Sequence, residues 1–299
     1  MTSSKSEMLR DIGRGNVRRA LRVDATWLRQ SRLVQGIRWN VSPRASQLAE
    51  ADCIVVSIRK SGRTWLRMFL AAYLSGDPDR VSDLDLDNVG SGKGLSVEFT
   101  HEAWDQVATP SLYDAFRGHH LIPQRRRRSK PILLLARDPR DVSVSLFFHL
   151  SKRQPRHRGD IASLLRHPVY GIEFVVRTMN AWIDEWHGHS NFHLLRYEDC
   201  RDSMRENFES VLRFIGIAPI DQELLSKALS VSRFEVMQRL EATGVIASPT
   251  LQPRDRSDPD TYKVRRGKVG AYREYLRGPD LAYANAVLEG LDERFGYFV

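Results

Sequence analysis

Cysteine is scarce in this 299-residue chain: Cys53 and Cys200 are the only two, too few for a disulfide framework. No Cys/His cluster shows zinc spacing, so no metal is expected. Long apolar runs are missing as well. The longest, Met68 to Leu74, has seven residues, against the roughly 20 that a membrane-spanning helix needs. The first residues carry charge without an apolar stretch of the secretory kind. Acidic residues are outnumbered, 37 against 46 Lys and Arg, for a net charge of +9. These absences predict a cytoplasmic protein without a transmembrane segment, and the charge predicts anionic partners.

The excess is uneven. Residues 1–50 hold ten Lys and Arg against four Asp and Glu, six of the nine net charges. They read as a basic arm, partly helical or flexible, with Leu21, Trp27, Leu28, Val34 and Ile37 on one side of a short amphipathic segment. Either solvation or a peripheral membrane contact suits such an arm. Residues 51–299 read as the folded domain.

There the pattern alternates. Cys53 to Ile58 is a short, β-branched apolar run, as in a buried parallel strand. Trp65, Leu66, Phe69, Leu70 and Tyr73 then recur at helical spacing, stopped by Gly76 and Pro78. Leu95 to Thr100, Pro131 to Ala136 and Phe192 to Arg196 are further strands. Helices are expected over Val142 to Lys152, Gly171 to Trp186, Ser203 to Ile215, Glu223 to Leu229, Arg233 to Leu240 and from Pro279 onward. Strands alternating with helices predict an α/β fold, three layers around a central, mainly parallel sheet.

Three basic segments carry candidate chemistry. Lys60-Ser61-Gly62-Arg63-Thr64-Trp65 lies between a strand and a helix start, where N–H groups and the helix dipole favour an anion. Its lysine precedes its glycine, so it is not a Walker A loop. Arg137-Asp-Pro-Arg-Asp-Val leaves the third strand at its carboxyl end, where open parallel sheets bind ligands, and Ser145 follows on the next helix. Lys263-Val-Arg265-Arg266-Gly267-Lys-Val-Gly270 is a glycine-flanked basic turn. Each alone suits an ordinary solvated loop equally well.

In this order, together with Tyr197-Glu-Asp199, the segments resemble the sulfotransferases that use 3′-phosphoadenosine-5′-phosphosulfate (PAPS), from about Cys53 to the C-terminus. The resemblance implies a P-loop-like nucleotide-binding sulfotransferase fold and sulfuryl transfer from PAPS to a hydroxyl acceptor. It assigns Lys60, Ser61, Gly62, Arg63, Thr64 and Trp65 to the 5′-phosphosulfate loop, and Arg137 and Ser145 to the 3′-phosphate. Arg265, Arg266 and Gly267 match the segment that closes over that phosphate; Tyr197, Ser232 and Phe234 match the adenine contacts. Arg59 and Arg63 stand where the family usually has Pro and Thr.

Such a transfer needs a base for the hydroxyl proton, and histidine suits neutral pH. His101 directly follows a strand, as the family's catalytic histidine does, although the lysine often preceding Thr-His is missing. His119 and His120 are the alternatives. His149, His157, His187 and His189 read as surface groups. Polar loops near Asp83 to Gly92 and at Asp105 point to a carbohydrate or glycolipid acceptor, with a phenol or other small alcohol as the other reading. The Arg125 to Arg128 run reads as a solvated loop or an anion attractor. Two other classes compete: a P-loop-type nucleotide-dependent kinase, and a basic nucleic-acid-binding module. The first lacks a glycine-flanked lysine followed by Ser/Thr, and the second lacks a basic stripe interleaved with aromatics.

Overall fold

The computed structural model describes residues 43–90, 94–101 and 129–299. Most of the arm, His119, His120, Asp105 and the Arg125–Arg128 run lie outside the described residues. Four strands, β1 (Cys53–Ser57), β2 (Val97–Thr100), β3 (Ile132–Ala136) and β4 (Phe192–Arg196), form one parallel sheet in the order β2-β1-β3-β4. They coincide with the four apolar runs of the sequence. Every residue of β1 and β3 is buried, as befits central strands covered on both faces.

Alternation along these strands divides the core in two. Ile54, Val56, Ile132, Leu134 and Ala136 face one side and pack against α3 (Pro139–Phe148), α5 (Ile172–Trp186) and α11 (Gly278–Leu288). Cys53, Val55, Leu133, Leu135 and Leu195 face the other, against α2 (Arg63–Ser75), α7 (Met204–Phe214) and α8 (Gln222–Val231). The result is the expected α/β/α sandwich. Phe69 of α2 is fully buried, its ring 4.3 Å from that of Phe208 on α7. Truncating such a side chain costs about 3–5 kcal/mol.

Two helix starts bear on the site, and that of α3, at Pro139, comes earlier than the Val142 expected from the sequence. α2 begins at Arg63, with Gly62 as its N-cap at φ 99° and no side chain capping it. α3 begins at Pro139 behind Asp138, whose carboxylate accepts the Arg140 backbone N–H at 2.8 Å. α3 runs into a π-helical turn, His149–Arg153. The segment before β1 contributes a short helix, α1 (Pro43–Glu50), whose Leu48 is buried in the core. The remaining helices are α4 (Ile161–Leu165), α6 (Tyr197–Asp202), α9 (Phe234–Thr243) and α10 (Tyr272–Tyr275). Among the described residues, no helix is long and apolar enough to cross a membrane.

Candidate active site

Parallel strands end together, so the loops beyond β1, β2 and β3 converge. A cavity of about 310 Å³ lies there, lined by the lysine loop after β1, His101 after β2, Arg137 and Ser145 after β3, and the turn around residues 263–268. Of the residues selected from sequence, His101, Lys60, Gly62, Arg63, Thr64, Trp65, Arg137, Ser145, Tyr197, Phe234, Arg265, Arg266 and Gly267 line it. Ser61 and Ser232 do not. Both are buried, and the Ser232 hydroxyl donates to the Ala228 carbonyl at 2.7 Å, closing the end of α8. Ser232 bears on the cavity through its main chain instead: its carbonyl accepts the Trp65 indole N–H at 2.8 Å.

Arg137 joins three segments. Its guanidinium donates to the carbonyls of Lys60 and Lys268, both at 3.2 Å, and lies 3.6 Å from the Asp141 carboxylate. It also stacks 4.3 Å from the centre of the Tyr197 ring. Its Nε is buried without a hydrogen-bond partner, an unsatisfied donor at the cavity wall. Asp141 accepts the N–H groups of Gly270 and Tyr272, each at 2.8 Å, which fixes the basic turn over the end of α3. Burial lifts the Asp141 carboxyl above its ordinary range, against the pull of Arg137.

Glycine is required at two points of this wall. A Cβ at Gly62 would lie 2.6 Å from Cδ2 of Tyr197, and one at Gly267 would lie 2.3 Å from Cδ2 of Phe234. Both residues have positive φ. The aromatic rings of Tyr197 and Phe234 thus press directly on main chain, and Trp65 meets Tyr197 edge-on at 5.4 Å. Flat rings and cations lining one cavity suit a purine nucleotide with anionic groups. Arg265 lies across the Phe148 ring at 3.8 Å and donates to the Tyr275 hydroxyl at 3.0 Å, whereas Arg266 and Lys268 share Glu274 at the rim.

His101 sits where the register of the sheet places it. Val56 pairs with Thr100, so the next residues, Ser57 and His101, are level. The His101 Nδ1 lies 2.7 Å from the Ser57 carbonyl oxygen. A carbonyl only accepts, so Nδ1 carries the proton and the neutral ring keeps Nε2 as a proton acceptor. Burial, then the charges of Arg63, Arg59 and Lys263, hold its pKa well below the ordinary histidine value. Burial also holds Lys60 well below the usual lysine range, reinforced by Lys263, Arg153 and Arg137.

Three lining or supporting residues, His149, Glu241 and Arg153, were not expected from the sequence. His149, read there as a surface group, is 6% exposed and lines the cavity, and burial among Lys60, Lys263 and Arg59 pushes it down to about 2. It follows Ser145 by four residues on the same helical face, a spacing that would have revealed it. Lys263, the first residue of the basic turn read from the sequence, also lines the cavity, lowered to about 7 by burial and by Arg63, Arg153 and Arg59. Behind it, the fully buried Glu241 accepts the N–H groups of Lys263 and Val264 at 2.6 and 2.8 Å and pairs with Arg153 at 3.0 Å. Nothing local marks that pair, whose members are far apart in sequence. Glu198, within the Tyr197-Glu-Asp199 segment, accepts the Asp138 N–H at 3.0 Å and the Tyr297 hydroxyl at 2.6 Å.

The comparisons agree with this geometry. A family model described as the sulfotransferase domain matches residues 50–293. A 3-alpha-hydroxysteroid sulfotransferase of Cavia porcellus is 26% identical over 239 residues, covering 76% of this chain and 78% of the relative. Two solved structures share the fold. A retinol dehydratase in complex with androsterone and the inactive cofactor PAP gives a TM-score of 0.56 at 16% identity, covering 80% of this chain and 79% of that one. A mouse sulfotransferase complexed with PAP gives 0.53 at 17% identity, covering 86% and 88%. The kinase and nucleic-acid alternatives fall away, and the chain belongs to the PAPS-dependent sulfotransferase family.

Proposed function

We propose that the cavity at the ends of β1, β2 and β3 carries out sulfuryl transfer from PAPS to a carbohydrate or glycolipid hydroxyl, with His101 as base. One observation carries the assignment of the site: a single cavity gathers the lysine loop, Arg137 and the residue 263–268 turn, three segments remote in sequence. PAPS, when bound, supplies an activated sulfuryl group and a phosphate leaving group. Arg137, with its unsatisfied Nε, and Ser145 hold the 3′-phosphate, and Arg265, Arg266 and Gly267 close over it. Trp65, Tyr197 and Phe234 enclose the adenine, with Ser232 fixing the Trp65 indole. Ser61, Gly62, Arg63 and Thr64 hold the 5′ end.

His101 Nε2 takes the acceptor proton as the new oxygen–sulfur bond forms. Lys60 then offsets the negative charge that collects on the phosphate oxygen as the old sulfur–oxygen bond breaks. A neutral Nε2 is what the Ser57 contact secures. The phosphosulfate, by its charge, draws Lys60 back to the ammonium form that this role needs.

Support for a sugar acceptor is the cationic surroundings of His101, where the charges of Arg63, Arg59 and Lys263 reach the ring. A steroid reading follows from the name of the Cavia relative and predicts an apolar wall instead. We also take residues 1–50 as a basic arm able to meet a membrane surface, residues 51–299 as the catalytic domain, and the cytoplasm as its place of action. Thermal stabilisation tests the core of the proposal. The 3′-phosphorylated product nucleotide PAP should raise the melting temperature well above the effect of equimolar ATP, since a ligand selective for the native state stabilises by mass action. Equal effects would refute the assignment of Arg137 and Ser145.

A further inference from the structure

His149 lines the same cavity as His101, at the point where α3 passes into its π-helical turn, a distortion that often marks functional sites. The turn is braced. Arg153 donates to the Glu241 carboxylate at 3.0 Å and to the carbonyls of Thr261 and Gln252 at 3.2 and 2.6 Å. The Gln154 N–H meets the His149 carbonyl at 2.7 Å. The ring has no such anchor: Nδ1 is buried without a hydrogen-bond partner among the described residues. A proton there would be a costly buried donor with nothing to receive it, so the neutral ring carries its proton on Nε2. In His101 the Ser57 carbonyl holds the proton on Nδ1 instead. One histidine of the cavity therefore accepts through Nε2 and the other donates.

The surroundings of His149 are cationic. Lys60 has the largest electrostatic effect on it, followed by Lys263, Arg59 and Arg153. None of these groups accepts a hydrogen bond, whereas an oxyanion drawn among them does. Arg59 and Lys263 also act on His101, and Lys60 is the leaving-group cation of the proposed transfer. His149 thus shares charged neighbours with both ends of the reaction, and in an in-line transfer the sulfuryl group lies between those ends.

We infer that His149 is a second catalytic histidine, whose Nε2–H donates to a non-bridging oxygen of the sulfuryl group as it passes from the phosphate to the acceptor. This rests on the sulfotransferase reading proposed above. A neutral donor suits the place. It stabilises the charge spread over the sulfuryl oxygens without adding another cation to the cluster, and it does not compete for the proton that His101 takes.

The test compares PAPS, which carries the sulfuryl group, with PAP, which lacks it, by calorimetry on the full chain without acceptor. His149→Phe keeps a flat ring and removes the donor. It should weaken PAPS about tenfold while PAP affinity stays within about threefold. His149→Gln, whose side-chain N–H reaches a similar point, should restore part of the loss. In the unaltered chain, the nitrogen NMR resonance of His149 Nε2, identified by its absence from the His149→Gln spectrum, should shift further with PAPS than with PAP. That measurement decides the matter even if the phenylalanine variant fails to fold. Equal losses of the two nucleotides, an unchanged PAPS affinity or equal resonance shifts overturn the inference. If PAP itself fails to bind the unaltered chain, the sulfotransferase reading fails first, a distinguishable result.

Discussion

The Tyr197 hydroxyl donates to the carbonyl of Gly267 at 3.1 Å, tying the first residue of α6 to the basic turn 70 residues downstream. The ring that carries this hydroxyl also lies under Arg137 and against Gly62. One side chain therefore touches all three cavity-lining segments. Tyr197→Phe keeps the ring contacts and removes the tether. It should cost about 1 kcal/mol of stability, the worth of a neutral hydrogen bond, and weaken PAP several-fold by loosening the turn. Calorimetric PAP titration with thermal unfolding measures both, and unchanged PAP affinity would show that the tether is incidental.

Gly62→Ala attacks the same junction from the other side. A side chain at φ 99° costs about 1–2 kcal/mol, and the new Cβ must also displace the Tyr197 ring from 2.6 Å. The variant should fold with a lowered melting temperature and show little PAP-induced stabilisation. Normal PAP affinity would mean that the ring moves without consequence.

Lys60 and Arg137 separate chemistry from binding. Lys60→Ala should lower kcat by about 10²–10³, the usual loss for a group stabilising developing charge, with a much smaller change in PAP affinity. Turnover at the parental rate would remove Lys60 from the mechanism. Arg137→Gln should weaken PAP strongly while leaving a nucleotide without the 3′-phosphate nearly unaffected. Parallel losses for the two nucleotides would refute the 3′-phosphate role.

Acid should weaken the fold before the carboxylates matter. His101 and His149 are both neutral in the native state, lowered by burial and by neighbouring cations, His149 to about 2. In the unfolded chain they protonate below about pH 6.5. The unfolded state then binds more protons, so stability increases with pH up to that value and falls as pH drops below it, by about 1.4 kcal/mol per histidine per pH unit. Asp141 and Glu198, raised by burial, act in the opposite sense once pH falls through their native values. Denaturant melts between pH 7 and 5 should show this slope, and His149→Gln should remove about one proton from it. A flat profile would show that the two rings are not held neutral.

His101→Ala gives the remaining test. It should nearly abolish transfer while leaving PAP affinity close to that of the parent, because Nε2 meets the acceptor rather than the nucleotide. Loss of transfer in His120→Ala with His101→Ala active would move the base to the other histidine.

The strands were readable because β1 and β3 are buried on both faces and leave uninterrupted apolar runs, Cys53–Ser57 and Ile132–Ala136. The residues that most resemble the family motifs were readable because they sit on short segments whose spacing is fixed by a strand end and a helix start. The Glu241–Arg153 pair escaped notice for a physical reason. Arg153 and Glu241 are 88 residues apart and meet only once the π-helical turn after α3 packs beneath the end of α9. Ser232 shows what a motif match leaves open: its hydroxyl donates to the Ala228 carbonyl at the end of α8, and its carbonyl accepts the Trp65 indole N–H.

Arg137 satisfies the carbonyls of Lys60 and Lys268 and lies 3.6 Å from the Asp141 carboxylate, while its Nε has no partner. On the 3′-phosphate role proposed for it, a nucleotide lacking that phosphate leaves these contacts in place and finds nothing to gain there. A dianion would meet the open Nε and outweigh the nearby carboxylate, so discrimination against abundant adenylates would rest on charge, and its sharpness should fade as ionic strength rises.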